Sequence, residues 1–318
     1  MKTIIYLDQN YLSNITKARL GTNFYPKVPS HYLDLYSALR EAVGRDLMVC
    51  PVSSFHRTES ELDTRLELEI YGTLSELYCG TELRNYPEIL QEQTKTALYE
   101  FLGKRDTETK ARWHEAFESN PHISSQSPAP RLRAPGATFA TGTRAVKVYH
   151  EQEREPQAVG DLAKQKRFEA CQLIFWLYLR SGCLFALGDN DLDTVFMLQY
   201  QARLSQEYSD LLGRKPTAFE TAHFLASDQM RAAPFIDVYS SLRAGMVVWG
   251  AERRPKGSDL NDVFMAATIL PYCDVFATDG YIKSLTQRSK LDTKYKLLVF
   301  GSHKADVLAL TSYVRQLA

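Results

Sequence analysis

A chain of 318 residues, of which 44% are hydrophobic, can bury a substantial core as one large domain or two smaller ones. Its 38 basic and 38 acidic residues cancel, which excludes a global field that would draw the protein to nucleic acid or an anionic membrane. Five scattered cysteines show no zinc-type spacing, and the N-terminal apolar run is too short for a signal peptide. With no apolar run long enough to span a bilayer, these features predict a soluble cytoplasmic protein with reduced thiols.

The N-terminal part of the chain is predicted to alternate between strands and helices. Residues 3–7, TIIYL, are β-branched and aromatic and predict a buried strand that ends at Asp8. Helices are expected from Tyr11 and over residues 30–44, and LMVCPVS at 47–53 predicts the second strand.

The middle of the chain, up to about Gln201, is predicted to be mostly helical, because apolar residues recur there at three-to-four spacing. Residues 124–145 differ, since Ser, Pro, Gly and Thr dominate them, and we predict a long flexible loop. A helix over residues 235–249 is expected to pack on the sheet.

The C-terminal part returns to alternating elements. An amphipathic helix from Asp259 should stop near Pro271, and the strand DVFAT should end at Asp279. The segments YIKSLTQR, KYKLLVF and DVLALTSYVRQL then predict a helix, a strand and a helix. Strands that alternate with helices predict an α/β fold with a parallel sheet.

These elements predict a discontinuous sheet domain. It combines residues 1–61 with 235–318, and a large, mostly helical insertion over 62–234 interrupts it. The flexible segment near 124–145 lies within that insertion.

Acidic residues mark the carboxyl ends of the predicted strands or the helices that follow them. They are Asp8, Glu59, Asp259, Asp262 and Asp279. In an open parallel sheet, ligands bind outside the carboxyl ends of the strands, near the point where the strand order reverses. Carboxylates there would repel one another without a cation, and oxygen ligands without His or Cys favour Mg²⁺ or Mn²⁺. The pattern therefore predicts a divalent-metal site suited to phosphoryl transfer.

Each acidic residue also has a structural alternative. An aspartate at a strand end often caps the next helix, and Asp259 and Asp262 would favour a helix N-terminus through the macrodipole. Glu61 competes with Glu59 for the glutamate position, although the two would point to different faces of a helix. The coincidence of acidic residues in four segments favours the metal site.

The order and spacing of these motifs resemble those of PIN-domain-like nucleases. The matching pieces are DQN at 8–10, SSFHRTE at 53–59, DVFMAA at 262–267 and TD at 278–279. The resemblance implies a three-layer α/β/α domain with a central parallel sheet. The residues that it places in an acidic metal site are Asp8, Glu59, Asp262 and Asp279, with Asp259 as a fifth ligand.

The resemblance further implies a Mg²⁺- or Mn²⁺-dependent nuclease that uses metal-activated water and leaves a 3′-hydroxyl and a 5′-phosphate. RNA as the substrate, and a role as a toxin-like or defence effector, also come from the resemblance. Most small members of the family lack an insertion like residues 62–234. The insertion is expected to recognise the substrate or an inhibitory or recruiting protein. A homo-oligomer is a further expectation for this chain.

Four further side chains are candidates for substrate contact. They are Asn10, His56, Arg254 and Lys256. Arg254 and Lys256 would supply phosphate contacts, and their alternative is a solvated loop. For Asn10 the alternative is to cap the next helix, and for His56 it is a buried structural role.

Two residues near the predicted sheet edge have weaker signals. Thr278 is expected to form a hydrogen bond near the metal site or within the turn. His303, in GSHKAD after the last predicted strand, falls at the same sheet end, with a structural role as its alternative.

Two other functions compete with hydrolysis. A catalytically inactive scaffold would bind a protein partner through the insertion, but an inactive site has no reason to keep mutually repelling carboxylates. An aspartate-based phosphatase or phosphoacceptor would need Asp-x-Asp after the first strand, where this chain has Asp8-Gln9-Asn10.

Overall fold

A computed structural model describes residues 1–21, 24–25, 28–56, 66–104, 113–117, 120–122, 162, 192–249 and 258–317. The strands are β1 (Thr3–Leu7), β2 (Met48–Val49), β3 (Val275–Ala277) and β4 (Leu298–Phe300). The first helices are α1 (Gln9–Leu20), α2 (His31–Gly44), α3 (Glu67–Leu77), α4 (Tyr86–Phe101), α5 (Trp113–Ala116) and α6 (Leu192–Leu212). The later helices are α7 (Ala218–Leu225), α8 (Asp228–Arg231), α9 (Pro234–Trp249), α10 (Ser258–Ile269), α11 (Gly280–Arg288), α12 (Leu291–Tyr295) and α13 (Lys304–Leu317).

The four strands form one parallel sheet in the order β2-β1-β3-β4, which confirms the predicted α/β class. Thr3 pairs with Met48 on one side of β1, and Leu7 pairs with Ala277 on the other. Strand β2 lies on one side of β1, and β3 and β4 lie on the other side. The strand order therefore reverses between β1 and β3, which is where ligands bind in open α/β sheets.

The predicted elements are found with shifted ends. Helix α1 begins at Gln9 rather than Tyr11, because Asp8 caps it, and β2 is shorter than predicted. The last strand was predicted from residue 294, which is wrong. Residues Leu291–Tyr295 form α12, and Lys296 then ends that helix in the left-handed region with φ 57°, so β4 begins only at Leu298.

Helices α1, α2, α3 and α13 contribute to a hydrophobic core on one face of the sheet. The side chains that β1 and β3 contribute to this core are Ile5, Leu7, Val275 and Ala277, which are alternate residues of the two strands. Leu12, Leu35, Leu39 and Leu310 meet them from the helices, and all four are fully buried. Burial of each such side chain stabilises the fold by roughly 1.5–3 kcal/mol.

The intervening residues of β1 and β3 project to the other face. The rings of Tyr6 and Phe276 lie 6.0 Å apart there, and His56 stacks on Tyr6 with ring centroids 4.8 Å apart. The hydroxyl groups of Tyr6 and Ser53 form a 2.8 Å hydrogen bond on the same face. Aromatic and polar contacts therefore fix the connection after β2 against the strand that ends at Asp8.

The chain divides into two compact units. Unit 1 comprises residues 1–85, 112–139 and 272–318, and unit 2 comprises 86–111 and 140–271. The whole sheet belongs to unit 1. The predicted domain boundaries near residues 61 and 235 stay a prediction, and the predicted flexible segment 124–145 lies outside the described residues.

Helices predominate among the described residues of unit 2. The predicted helix over 235–249 is confirmed as α9, which packs against α10 with the rings of Tyr239 and Phe264 5.0 Å apart. In the described part of the chain, no helix combines the length and apolarity needed to cross a membrane.

Candidate functional site

Asp8 lies directly after β1 and caps α1. Its backbone is extended, and its Oδ1 accepts a 3.0 Å hydrogen bond from the Tyr11 backbone N–H. Only 6% of the residue is exposed. The capping alternative is therefore realised for Asp8, and the cap fixes the orientation of a buried carboxyl group at the strand end.

Asp279 has the equivalent position after β3. Its Oδ1 accepts hydrogen bonds from the backbone N–H groups of Tyr281 and Ile282, at 2.7 and 2.8 Å, and so caps α11. Among the described residues, the second oxygen, Oδ2, has no hydrogen-bond partner. The half-buried carboxylate therefore satisfies the helix with one oxygen and keeps the other available.

Parallel pairing places these two strand ends side by side. The Asp8 N–H donates to the Ala277 carbonyl at 2.9 Å, and the Thr278 N–H donates to the Phe300 carbonyl at 2.9 Å. The ends of β1, β3 and β4 are thereby held at one edge of the sheet. The reversal of strand order lies between β1 and β3. Asp8, Thr278 and Asp279, which we call the carboxyl-edge site, therefore have the position expected for ligand binding.

Thr278 contributes an unsatisfied polar atom to this carboxyl-edge site. Its side chain is 1% exposed, and within the described residues its Oγ1 has no hydrogen-bond partner. A buried hydroxyl group without a partner costs roughly 1–3 kcal/mol, so such an atom calls for an explanation. Oxygen donors of this kind suit a hard divalent cation or its water shell, which fits Mg²⁺ or Mn²⁺.

The loop after β4 approaches the same edge and is firmly held. The Tyr11 hydroxyl group donates to the Gly301 carbonyl at 2.5 Å, and the Gly301 N–H donates to Asp306 Oδ2 at 3.1 Å. Asp306 Oδ1 accepts a 2.6 Å hydrogen bond from Lys283 of α11. A Cβ atom at Gly301 would lie 2.8 Å from Oδ2 of Asp306, so a larger residue here would displace that carboxylate.

Three residues at this edge were not predicted from the sequence: Tyr11, Lys283 and Asp306. Burial raises the pKa of Tyr11 most, and interaction with Tyr32 and with the negative charges of Asp8 and Asp306 raises it further. The phenol is therefore a neutral donor at physiological pH. The only sequence signal for the loop was the Gly-Ser-His-Lys segment directly after a predicted strand.

The described substrate-contact candidates differ in their surroundings. His56 is 1% exposed, with Nε2 2.7 Å from the Leu7 carbonyl and Nδ1 accepting from the Ser53 N–H at 3.3 Å. Both ring nitrogens thus contact the backbone, which favours the structural alternative. Asn10 is exposed in the first turn of α1 and accepts from Asn14 at 2.9 Å. The expectation that Asn10 caps this helix is wrong, because Asp8 does so.

Asp259 and Asp262 both belong to α10 of unit 2, one turn apart. Asp259 is 1% exposed, whereas Asp262 is half-buried. The small side chains of Ala266 and Ala267, one turn further along, are fully buried. The two acidic residues therefore lie on a helix that is packed over much of its surface.

The remaining predicted residues lie outside the described part of the chain. They are Glu59, Arg254 and Lys256. Within the described ranges, no group of three or more His, Cys, Asp or Glu side chains is arranged to hold a metal ion. Unit 1 thus brings two predicted ligands, Asp8 and Asp279, to one sheet edge, and the complete five-carboxylate site stays a prediction.

Comparison with models of known protein families, with curated proteins and with solved structures found no match for this chain.

Proposed function

We propose that this protein is a PIN-like nuclease that depends on Mg²⁺ or Mn²⁺ and hydrolyses RNA. The observation that carries the proposal is the pair Asp8 and Asp279, which flank the reversal of strand order beside the unpartnered hydroxyl group of Thr278. Acidic residues at this point of a parallel sheet suit a cation and a phosphate group better than a neutral metabolite.

Each described residue of the site has a defined role in the proposed cleavage. Asp8 and Asp279 would hold the cation, and their caps keep both carboxyl groups in one orientation. The cation would supply charge neutralisation at the phosphate and activation of a water molecule. His56 would act indirectly, because its hydrogen bond to the Leu7 carbonyl holds the strand that carries Asp8.

Divalent-dependent RNA cleavage by the full chain tests the proposal. Asp8→Asn and Asp279→Asn remove a charge but keep a side chain that caps helices as well as aspartate does. Each variant should lose activity at least about 100-fold while the protein stays folded. Asp34→Asn is the matched control, because Asp34 is exposed in the first turn of α2, and it should cleave like wild type.

Cleavage that persists in EDTA, or that survives in both asparagine variants, would overturn the proposal. A purified chain that neither cleaves RNA nor binds Mn²⁺ would instead favour the inactive scaffold. Circular dichroism of every variant separates loss of function from loss of fold.

A further inference from the structure

His303 is an exposed imidazole at the edge that carries Asp8 and Asp279. Among the described residues, its ring forms no hydrogen bond or ion pair. The ring lies over Gly280, the residue directly after Asp279. A Cβ atom at position 280 would be 3.3 Å from Nε2 and 3.6 Å from Cδ2 of His303. The absence of a side chain at Gly280 thus makes room for the imidazole next to the backbone that follows Asp279.

The position of His303 is set by the rest of the loop. Gly301, two residues earlier, is held from both sides through Tyr11 and Asp306. The Tyr32 hydroxyl group adds a longer contact of 3.5 Å to the Ser302 carbonyl. The backbone on either side of His303 is also fixed, since its carbonyl accepts from Val307 within α13 at 3.1 Å. An exposed ring on such a well-anchored backbone is suited to contact a ligand rather than to stabilise the core.

The charges around the loop also suit an anion. Lys304 is exposed next to His303. The pKa of His31 is lowered mainly by the burial of His31 itself and next by the positive charge of Lys304. Lys283 also lies near the loop after β4, but it is paired with Asp306. Phosphate oxygens are bound by N–H donors of this kind, whereas the neighbouring Asp279 can only accept or bind a cation.

We propose that His303 is a substrate-contacting residue that donates an imidazole N–H to a phosphate oxygen of the RNA strand at the carboxyl-edge site. This inference rests on the proposed nuclease function. The buried hydroxyl group of Thr278, which has no partner among the described residues, also favours a polar ligand at this edge. The backbone N–H groups at the start of α11 are not part of the inference, because Asp279 already caps them.

His303→Ala and His303→Gln test the contact by steady-state cleavage of a labelled RNA. His303→Ala should raise KM about tenfold with little change in kcat, as expected for loss of one hydrogen bond to a charged group. His303→Gln should recover part of the loss, because its amide can donate an N–H. His122→Gln is the matched control in unit 1, since His122 contacts the Lys2 carbonyl before β1, at the opposite edge of the sheet, and its KM should equal that of wild type.

Gly280→Ala provides a second variant that does not alter the imidazole itself. The added methyl group should displace the ring, and alanine is a strong helix former at the start of α11, so the fold should persist. Gly280→Ala should therefore raise KM in the wild-type background. In the His303→Ala background it should have no further effect, and this non-additivity identifies the displaced group.

Direct binding of a fluorescein-labelled RNA separates this inference from the proposed function. It is measured by anisotropy without divalent cation in the Asp8→Asn background, where one repelling charge is removed and cleavage is not required. Adding His303→Ala should weaken binding about tenfold.

Cleavage with the same KM and affinity in the His303 variants would overturn the contact and leave the nuclease intact. A chain that does not cleave RNA but whose RNA binding depends on His303 would overturn the nuclease and support the contact. A chain that does neither would overturn both.

Discussion

The hydroxyl group of Tyr11 donates a hydrogen bond to the backbone carbonyl of Gly301. This bond joins the first turn of α1, which Asp8 caps, to the loop that follows β4. Tyr11 is fully buried and Gly301 is also buried, so the contact is shielded from water. A single tyrosine thus couples the position of one candidate ligand to the loop that carries His303.

Tyr11→Phe should reduce the free energy of unfolding by about 1–3 kcal/mol, because the buried Gly301 carbonyl would lose its partner. Urea unfolding of the full chain measures this change. Tyr32→Phe is the matched control, since Tyr32 is also buried but the contact of its hydroxyl group with Ser302 is 3.5 Å long. A Tyr32 variant that is destabilised as strongly as the Tyr11 variant would contradict the importance of the Gly301 bond.

The raised pKa of Tyr11 predicts a pH dependence of stability. The folded-state pKa lies above the usual value of 10.0, so the unfolded chain releases the proton first as the pH rises. The contribution of Tyr11 is therefore fully present below pH 10.0 and is lost as the pH rises above it. Unfolding free energies at pH 8, 9, 10 and 11 should fall less steeply in Tyr11→Phe than in wild type. Parallel curves for the two proteins would contradict this prediction.

We expect the structural role of Asp279 as a helix cap to be separable from its proposed role in cleavage. Asp279→Ala should lower the free energy of unfolding by about 1 kcal/mol, because the N-terminal N–H groups of α11 lose their acceptor, whereas Asp279→Asn should be nearly neutral. Thr217→Ala is the control, since Thr217 caps α7 in unit 2 from a similarly extended backbone. Thr217→Ala should lower the free energy of unfolding by a similar amount without loss of cleavage. If Asp279→Asn retained full cleavage, the role of Asp279 would be limited to capping α11.

Divalent cations should bind to the candidate ligands in the absence of RNA. Titration calorimetry with Mn²⁺ should show affinity at least about tenfold weaker for Asp8→Asn and Asp279→Asn than for wild type. Asp34→Asn should bind Mn²⁺ like wild type, because Asp34 is an exposed residue in the first turn of α2 and is not one of the predicted ligands. Equal affinities in all four proteins would place any bound Mn²⁺ elsewhere in the chain.

The N-terminus of α7 predicts an acid-sensitive contact in unit 2. A hydrogen bond from Arg214, followed by bonds from Thr217, lowers the pKa of Glu220 to about 2. This depressed pKa means that the contribution of Glu220 is present above its usual pKa of 4.5 and is lost as the pH falls from there to about 2. The urea midpoint should therefore fall more steeply in wild type than in Glu220→Gln over this range. Equal slopes would contradict the prediction.

The sequence predicted the class of fold because its signals are local. The run at residues 3–7 is too β-branched and aromatic for a surface helix, and strand–helix alternation has few topologies other than a parallel sheet. Asp8 and Asp279 could be identified as a pair for the same reason, since each directly follows a strand. The end of α12 was missed because the left-handed backbone at Lys296 has no clear local signature.

The amino-acid sequence by itself determined the kinds of element and the acidic residues that follow them. Only the tertiary structure decided which strands are neighbours, and so which carboxylates share an edge, because the order β2-β1-β3-β4 depends on packing between distant segments. It also decided that His56 is buried and contacts the Leu7 carbonyl, whereas His303 stays exposed over Gly280, the residue after Asp279. Both residues are histidines near strand ends, and only burial and hydrogen bonding, which arise from the folded chain, distinguish them.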